Sequence, residues 1–260
     1  MKLTKPQIKA HKEAMALVDC DRPLKDDEKE FILDNFHEGA THINSSAGAF
    51  FTPRGLSRDF AIEVDGGNTG KARCIDLCAG IGALSYAVEQ KVGSLVCVEM
   101  NPEYARIGKR IIPDAEWIVC SVFDPRVLDL GRFRWAISNP PFGRIPGDGF
   151  KGKYTGGEFE YRVIEIASRL ADFGAFILPQ MSAPFRYSGQ QCFTHDETDK
   201  ARKFREQTGI EMGPNCGIDT SIYKGEWRGV SPVCEIVVCE FDAPAAEEKA
   251  ERPDMFAEAA

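Results

Sequence analysis

From residue 73 onward, short apolar runs alternate with amphipathic stretches. ARCIDL, SLVCVEM, EWIVCS, RWAIS and GAFILP are β-rich and bounded by turn residues. IGALSYAVEQ, NPEYARIGKRI and GEFEYRVIEIASRLADF separate most of them, and in the last Phe159, Val163, Ile166 and Leu170 share one helical face. Runs that are apolar throughout predict strands buried on both faces. Strand–helix alternation then predicts a parallel sheet covered on both sides. Farther along, DKARKFREQTG reads as a helix, and GIDTSIYKGEWRGVSPVCEIVVCEF as two strands joined by a turn-rich loop. The expected fold class is α/β, a doubly wound, mostly parallel seven-stranded sheet closed by an antiparallel C-terminal hairpin.

The first 45 residues are polar and weakly periodic. They predict a helix near 6–18 and a second one through DRPLKDDEKEFILDNFHEG, ending at Gly39. Leu56, Phe60 and Val64 recur at helical spacing after Thr52-Pro53, with proline near the first turn. The chain therefore divides into a helical extension (1–45), a main domain (46–241) and an Ala/Glu/Pro-rich tail (242–260) expected to be disordered.

Composition narrows the class. At 260 residues the chain holds one domain with appendages. No run of about 18 apolar residues exists to span a membrane. The N-terminus has no apolar stretch of the secretory kind, so a cytoplasmic protein is expected. The nine cysteines are odd in number, form no CxxC pair and sit partly in apolar runs. They read as small buried hydrophobes, and no metal is expected. The net charge is −8, of which the tail contributes −4 (two bases against six acids) and residues 1–241 the other −4. Contact with a phosphate backbone would have to rest on a local basic patch.

Asp76-Leu77-Cys78-Ala79-Gly80-Ile81-Gly82 ends the first parallel strand and opens a helix. Gly80 and Gly82 permit a tight turn and a close approach of backbone to ligand. The next strand ends in Glu99, placed to accept two ribose hydroxyls. Together these features favour a nucleoside-containing cofactor over a plain strand–helix turn. Ser85 stands where a dinucleotide loop has its third glycine, so S-adenosylmethionine fits better than NAD. Asp124, after the third strand, either accepts from the adenine amino group or caps the helix that begins at Pro125.

The fourth strand ends in Ser138-Asn139-Pro140-Pro141-Phe142-Gly143. Two prolines fix φ twice and remove two donors. The Asn139 side-chain oxygen and the Pro140 carbonyl can then point into the crevice as acceptors, and Phe142 offers a flat face. This set suits a planar ring with an exocyclic amino group, whose nitrogen lone pair attacks a sulfonium methyl without a covalent intermediate.

DLCAGIG, Glu99 and NPPF together resemble the class I S-adenosylmethionine-dependent methyltransferases that modify planar amino nitrogens. GAFFTP upstream resembles the F-x-T-P segment of adenine-N6 DNA methyltransferases, including modification subunits of type I restriction systems, and the motif order resembles their γ arrangement. The resemblance covers about 46–180. It implies the Rossmann-like methyltransferase fold, with cofactor contacts at Phe50, Thr52, Asp76, Cys78, Gly80, Glu99 and Asp124. It implies target-base contacts at Asn139, Pro140, Pro141 and Phe142. About 80 residues follow Pro179, too few for the large recognition domain usual in that family. Relaxed sequence preference, a specificity-giving partner protein or a homodimer is expected in its place.

GRIPGDGFKGKYTGGE (143–158) carries Arg144, Lys151, Lys153, Phe150 and Tyr154 among glycines. It reads either as a mobile lid that meets nucleic acid or as a plain surface loop. Lys200, Arg202, Lys203 and Arg205 form a second basic cluster on a helix, by default a solvated face. His195 reads as a surface residue. The leading expectation is transfer of a methyl group to adenine N6 in nucleic acid, DNA before RNA. RNA adenine, guanine N2, a protein glutamine, or a catalytically weak cofactor-binding regulator of the same fold stay open.

Overall fold

Strand β1 (Arg73–Leu77) lies between two parallel neighbours, β2 (Ser94–Glu99) and β4 (Phe133–Ser138). β3 (Glu116–Val119) extends the sheet beyond β2, and β5 (Ala171–Pro179) extends it beyond β4, all parallel. β9 (Cys234–Glu240) then runs antiparallel along β5, and β8 (Gly213–Pro214) runs antiparallel to β9. The seven-stranded order is β3-β2-β1-β4-β5-β9-β8. β6 (Phe185–Arg186) and β7 (Thr194–His195) pair separately. The computed structural model describes residues 3–37, 50–68, 70–145, 150–228 and 231–241. The expected helix end at Gly39 and the acidic tail 242–260 lie outside these residues.

Side chains alternate across the sheet into two apolar layers. Cys74, Leu95, Cys97, Ala175 and Ile177 face one layer, and Ile75, Leu77, Val96, Val98, Phe176 and Leu178 face the other. The first layer is covered by α1 (Lys5–Val18), α2 (Asp26–Asn35), α3 (Arg54–Phe60), α4 (Ala83–Val88) and α5 (Pro102–Ile111). The second is covered by α6 (Pro125–Leu128), α7 (Phe159–Leu170) and α8 (Asp199–Thr208). Burial on both faces explains why the strands read as unbroken apolar runs. The N-terminal helices share the first layer through Ala14, Val18, Ile32, Leu33 and Phe36. Arg110 of α5 fastens them by donating to the carbonyls of Val18, Cys20 and Arg22.

The helices begin and end on local chemistry. Asn101 caps α5 by accepting from Glu103 N, Pro102 fills the first turn, and Lys109 and Arg110 sit at the negative end of the helix dipole. Thr198 caps α8, which stops at Gly209 with φ 76°.

Three expected boundaries move. α3 stops at Phe60, and Val64 is buried beyond it on a turn. α7 stops at Leu170 and β5 starts at once at Ala171, because the backbone of Phe173 pairs with Glu240 in the sheet. The first strand of the closing hairpin is Gly213–Pro214, ahead of the segment expected to supply it. The reason is Asn215: its Nδ2 donates to the Ile236 carbonyl, and its Oδ1 accepts from Gly217 N and Ile218 N. An Asx turn thus ends the pairing, and the chain goes on into a 3-10 turn at Thr220–Tyr223.

Gly108 of α5 packs against the Trp117 ring so closely that an added Cβ would lie 2.0 Å from the indole. Ala is the better helix former by about 1 kcal/mol, but overpacking a core typically costs more. Gly108→Ala should therefore lower stability by ~1–2 kcal/mol net, read as a fall in the urea midpoint. An unchanged or higher midpoint would show that Trp117 can move aside.

Candidate active site

The loop after β1 coils by placing alternate residues in the left-handed region: Cys78 (φ 70°), Gly80 (φ 57°) and Gly82 (φ 89°). Glycine adopts this freely, whereas for Cys78 it costs on the order of 1 kcal/mol. The coil is held from below and from the side. Ala79 N donates to the Val98 carbonyl, and Gly80 N donates to Glu99 Oε2 at 2.8 Å. Glu99 Oε1 accepts from Asn101 N at 2.7 Å. Both oxygens of Glu99 are thereby positioned, and each keeps lone-pair capacity for a ligand hydroxyl. Burial pushes the carboxyl of Glu99 upward against the pull of these backbone donors.

Asp76 stands in the fully buried stretch of β1. Ser85 Oγ donates to its Oδ2 at 2.6 Å, while its Oδ1 is buried without a hydrogen-bond partner among the described residues. Burial raises its pKa to about 7, with the negative charge of Glu99 adding to the rise. Ser85 is thus the residue that orients the acid.

Asn139 crosses to the FFTP segment. Its Nδ2 donates to the Phe50 carbonyl and to Thr52 Oγ1, both at 2.9 Å. The Phe50 carbonyl, which can only accept, settles which way the amide faces, since the flipped amide would set oxygen against that oxygen. The Oδ1 of Asn139 is then left buried and, among the described residues, unpartnered. Phe50, Thr52, Asp76, Cys78, Gly80 and Asn139 line one cleft at the carboxyl end of the sheet. That is the crevice in which an open α/β sheet takes its ligand.

The turn after Asn139 is fastened behind by α7. Gly143 N donates to Glu160 Oε2 at 2.8 Å, and Phe159 N donates to the Gly143 carbonyl. Ser182 Oγ donates to the other oxygen of the buried Glu160. Pro140 is buried; Pro141 and Phe142 are half-buried, and Phe142 packs on the first apolar layer.

The remaining expected residues do not line that cleft. Asp124 caps α6 by accepting from Arg126 N, and its carboxylate pairs with the Arg126 guanidinium, which holds it down at about 2. Arg144, Lys151 and Lys153 are exposed beyond the turn. Tyr154 corrects its expectation as a residue that meets substrate. It is 4% exposed, its hydroxyl donates to Glu158 Oε2, and its ring packs edge-on against Tyr161 and Phe204. The loop around it is correspondingly anchored: Lys153 N and Tyr154 N both donate to Glu165.

Sequence reasoning passed over three residues. Phe51 lines the cleft with its ring 3.3 Å from where a Cβ at Gly80 would stand, and it packs on Tyr104 and Phe36. The Phe50-Phe51 doublet was its only sequence signal. Met100, next to Glu99, is a 71% exposed apolar side chain at the carboxyl end of β2. Glu160 had no signal at all.

No family model matches the chain, and no curated protein matches it either. Solved structures do. The methyltransferase subunit of a type I restriction-modification system from Streptococcus thermophilus matches 84% of this chain with 49% of its own, at 13% identity and a TM-score of 0.57. The chain thus spans about half the length of that subunit. A protein of Listeria monocytogenes assigned to the class I S-adenosylmethionine-dependent methyltransferases matches 87% of this chain with 72% of its own, at 13% identity and a TM-score of 0.58. The strand order and these matches together define the class I S-adenosylmethionine-dependent methyltransferase fold.

Asp76 makes a testable statement about pH. Its carboxyl sits near 7 in the fold against 3.8 as the ordinary value. An acid raised by folding contributes stability that is full below its unfolded pKa and is lost as pH rises through the folded one. Asp76→Asn should therefore gain on the wild type between about pH 4 and pH 7, by an amount on the order of a few kcal/mol. Urea unfolding at pH 5 and pH 8 measures it. An equal difference at the two pH values would mean that Asp76 is ionised throughout.

Proposed function

We propose that this protein is an S-adenosylmethionine-dependent methyltransferase acting on the exocyclic amino group of adenine (N6) in nucleic acid, DNA before RNA. The observation that carries the reading is the Asn139 amide. Its nitrogen is committed to Phe50 and Thr52, and its oxygen is a buried acceptor with no partner among the described residues. A buried orphan acceptor is costly, on the order of 1–3 kcal/mol, unless a ligand supplies the donor. An amino group does so.

The cleft also fits the cofactor. Asp76 Oδ1 is a second unpartnered acceptor in it, suited to a cationic or hydrogen-donating group. Glu99 would hold ribose hydroxyls, the glycine loop would allow close approach, and Met100 offers an apolar face for a flat base. Asp124 is kept as an adenine contact in this reading, with its Arg126 pair to be loosened. The cofactor, when bound, supplies an electrophilic sulfonium methyl.

The chain's own work is to present the nucleophile. Asn139 Oδ1 and the Pro140 carbonyl accept the two amino hydrogens, which turns the nitrogen lone pair away from them. Pro141 stiffens the turn, and Phe142 stacks on the ring. Pulling on the amino hydrogens raises electron density at nitrogen as the methyl arrives, and the same acceptors draw off the released proton toward solvent. No covalent intermediate forms. In duplex DNA the base would have to leave the stack, at a cost of a few kcal/mol. The likeness to a restriction-modification methyltransferase subunit and the FFTP segment favour DNA. Target choice by a partner protein or a second copy of the chain belongs to the same reading.

Methyl transfer from labelled cofactor to DNA, RNA and protein pools in parallel, followed by identification of the modified base, tests it. N6-methyladenine in the DNA pool is the expected result. Label confined to protein, or to guanine, would replace the substrate. Asn139→Ala should lose at least 100-fold in turnover, about 2.7 kcal/mol, with cofactor affinity little changed by calorimetry. Near-normal turnover would make NPPF a structural turn only.

A further inference from the structure

We propose that Arg144, Lys200 and Lys203 form one phosphate clamp beside the catalytic turn, gripping the strand that carries the target nucleotide. The proposal rests on the nucleic-acid reading above and names where the backbone is held.

In the sequence these cations belong to two separate basic segments. The fold joins them through a single buried carboxylate. Glu158 Oε1 lies 2.8 Å from Lys200 Nζ and 4.0 Å from Arg144 Nε. The Glu158 side chain is 5% exposed, whereas those of Lys200 and Arg144 are 63% and 80% exposed. An anion beneath two exposed cations orients them without covering them. An ammonium has three donors and a guanidinium five, so most of their capacity faces outward. Lys203, also exposed, lies with its Nζ 6.0 Å from the centre of the Tyr154 ring, on the same side of α8.

The platform under these groups is rigid. Phe204 stacks on Tyr161 with centroids 4.9 Å apart and meets Tyr154 edge-on. Thr155 N donates to Gln207 Oε1 at 2.9 Å. The clamp also stands at the right end of the sheet. Arg144 directly follows Gly143, and Thr198, the cap of α8, donates to the Met181 carbonyl just past the carboxyl end of β5.

The other two cations of α8 are spent differently. Arg202 pairs with Asp199 at 2.7 Å, and Arg205 pairs with Glu197 through both Nε and Nη2. The basic cluster thus splits into residues that hold the helix surface together and residues turned to a ligand. This partition resolves the conflict between a net charge of −8 and a polyanionic substrate, because binding depends on a local group of cations.

The test is the salt dependence of binding by the full chain. The probes are a fluorescent single-stranded oligonucleotide containing adenine, and its duplex. Each phosphate contact contributes about 0.7 to the log–log slope on single strands and about 0.9 on duplex. Lys200→Ala and Lys203→Ala should each flatten the slope by about that much, and the double variant by about twice as much. Arg202→Ala and Arg205→Ala should leave it unchanged. All four side chains are at the surface, and circular dichroism confirms that each variant folds. Lysine variants with the wild-type slope, or arginine variants that lose as much, would overturn the clamp. So would a wild type that binds neither probe, or binding by a polyglutamate peptide that shows the same lysine dependence. Methyl transfer measured on the same samples separates the two claims. Binding with the expected slopes but no transfer would sink the methyltransferase reading and support the clamp. Transfer to nucleic acid with unaltered slopes would sink the clamp alone.

Discussion

Both faces of β1 are sealed under helices, and the chemistry of the molecule follows from that constraint. A strand flanked by β2 and β4 and covered on both sides has no polar outlet past its exposed first residue, Arg73. Its one acid, Asp76, is consequently buried, half satisfied by Ser85 and raised to about 7. Polar groups that can meet a ligand gather where the strands end. The glycine coil, Glu99 and Asn139 all stand there, brought together by strand order although they are far apart in sequence. The left-handed backbone of Cys78, between Asp76 and Gly80, shows how tightly the chain must turn as it leaves the sheet.

The Asn139 amide is the joint between this sheet and the chain that precedes it. Its two donated hydrogen bonds reach the FFTP segment, nearly ninety positions earlier. Phe51 of that segment covers Gly80 and packs on Tyr104 of α5 and on Phe36, which follows α2. The N-terminal helices are thereby linked to the cleft by one aromatic relay. Arg228 strengthens this joint by donating to the carbonyls of Leu33 and Phe36. The amide whose oxygen stands buried and unpartnered among the described residues is thus also the one that closes the cleft wall.

Buried acids of α7 and its N-cap play the matching part behind the turn that follows Asn139. Glu158, Glu160 and Glu165 are each less than a tenth exposed. A buried carboxylate is tolerated when hydrogen bonds and cations meet its charge. Here the donors are the backbone of Gly143, Lys153 and Tyr154, two hydroxyls, and the cations Lys200 and Arg169. The three backbone bonds, from Gly143, Lys153 and Tyr154, tie the glycine-rich segment to the helix after it. A stretch whose composition suggested a free lid is therefore anchored at Gly143 and again from Lys153 to Glu158. The aromatics expected to face a base are divided: Tyr154 joins the core, and Phe150 stacks on Phe123.

The sequence alone determined the five parallel strands and the two motifs at their ends, because burial on both faces and tight turns demand residue types that local pattern exposes. Asp76 through Gly82, Glu99 and Asn139 through Phe142 were legible for that reason. Asp124 left two readings open, and the structure shows the cap, which depends only on the two residues after it. Tertiary structure decided the rest. Which nitrogen or oxygen of Asn139 stays free depends on a carbonyl at Phe50 that no local pattern reveals. Glu160 and Phe51 acquire their places only through contacts between distant segments. The division of the α8 cations, Lys200 over Glu158 and Arg205 against Glu197, depends on which carboxylates the fold sets beside them. Charge pairing and hydrogen-bond satisfaction act over a few ångströms in space, and separation along the chain does not record that distance.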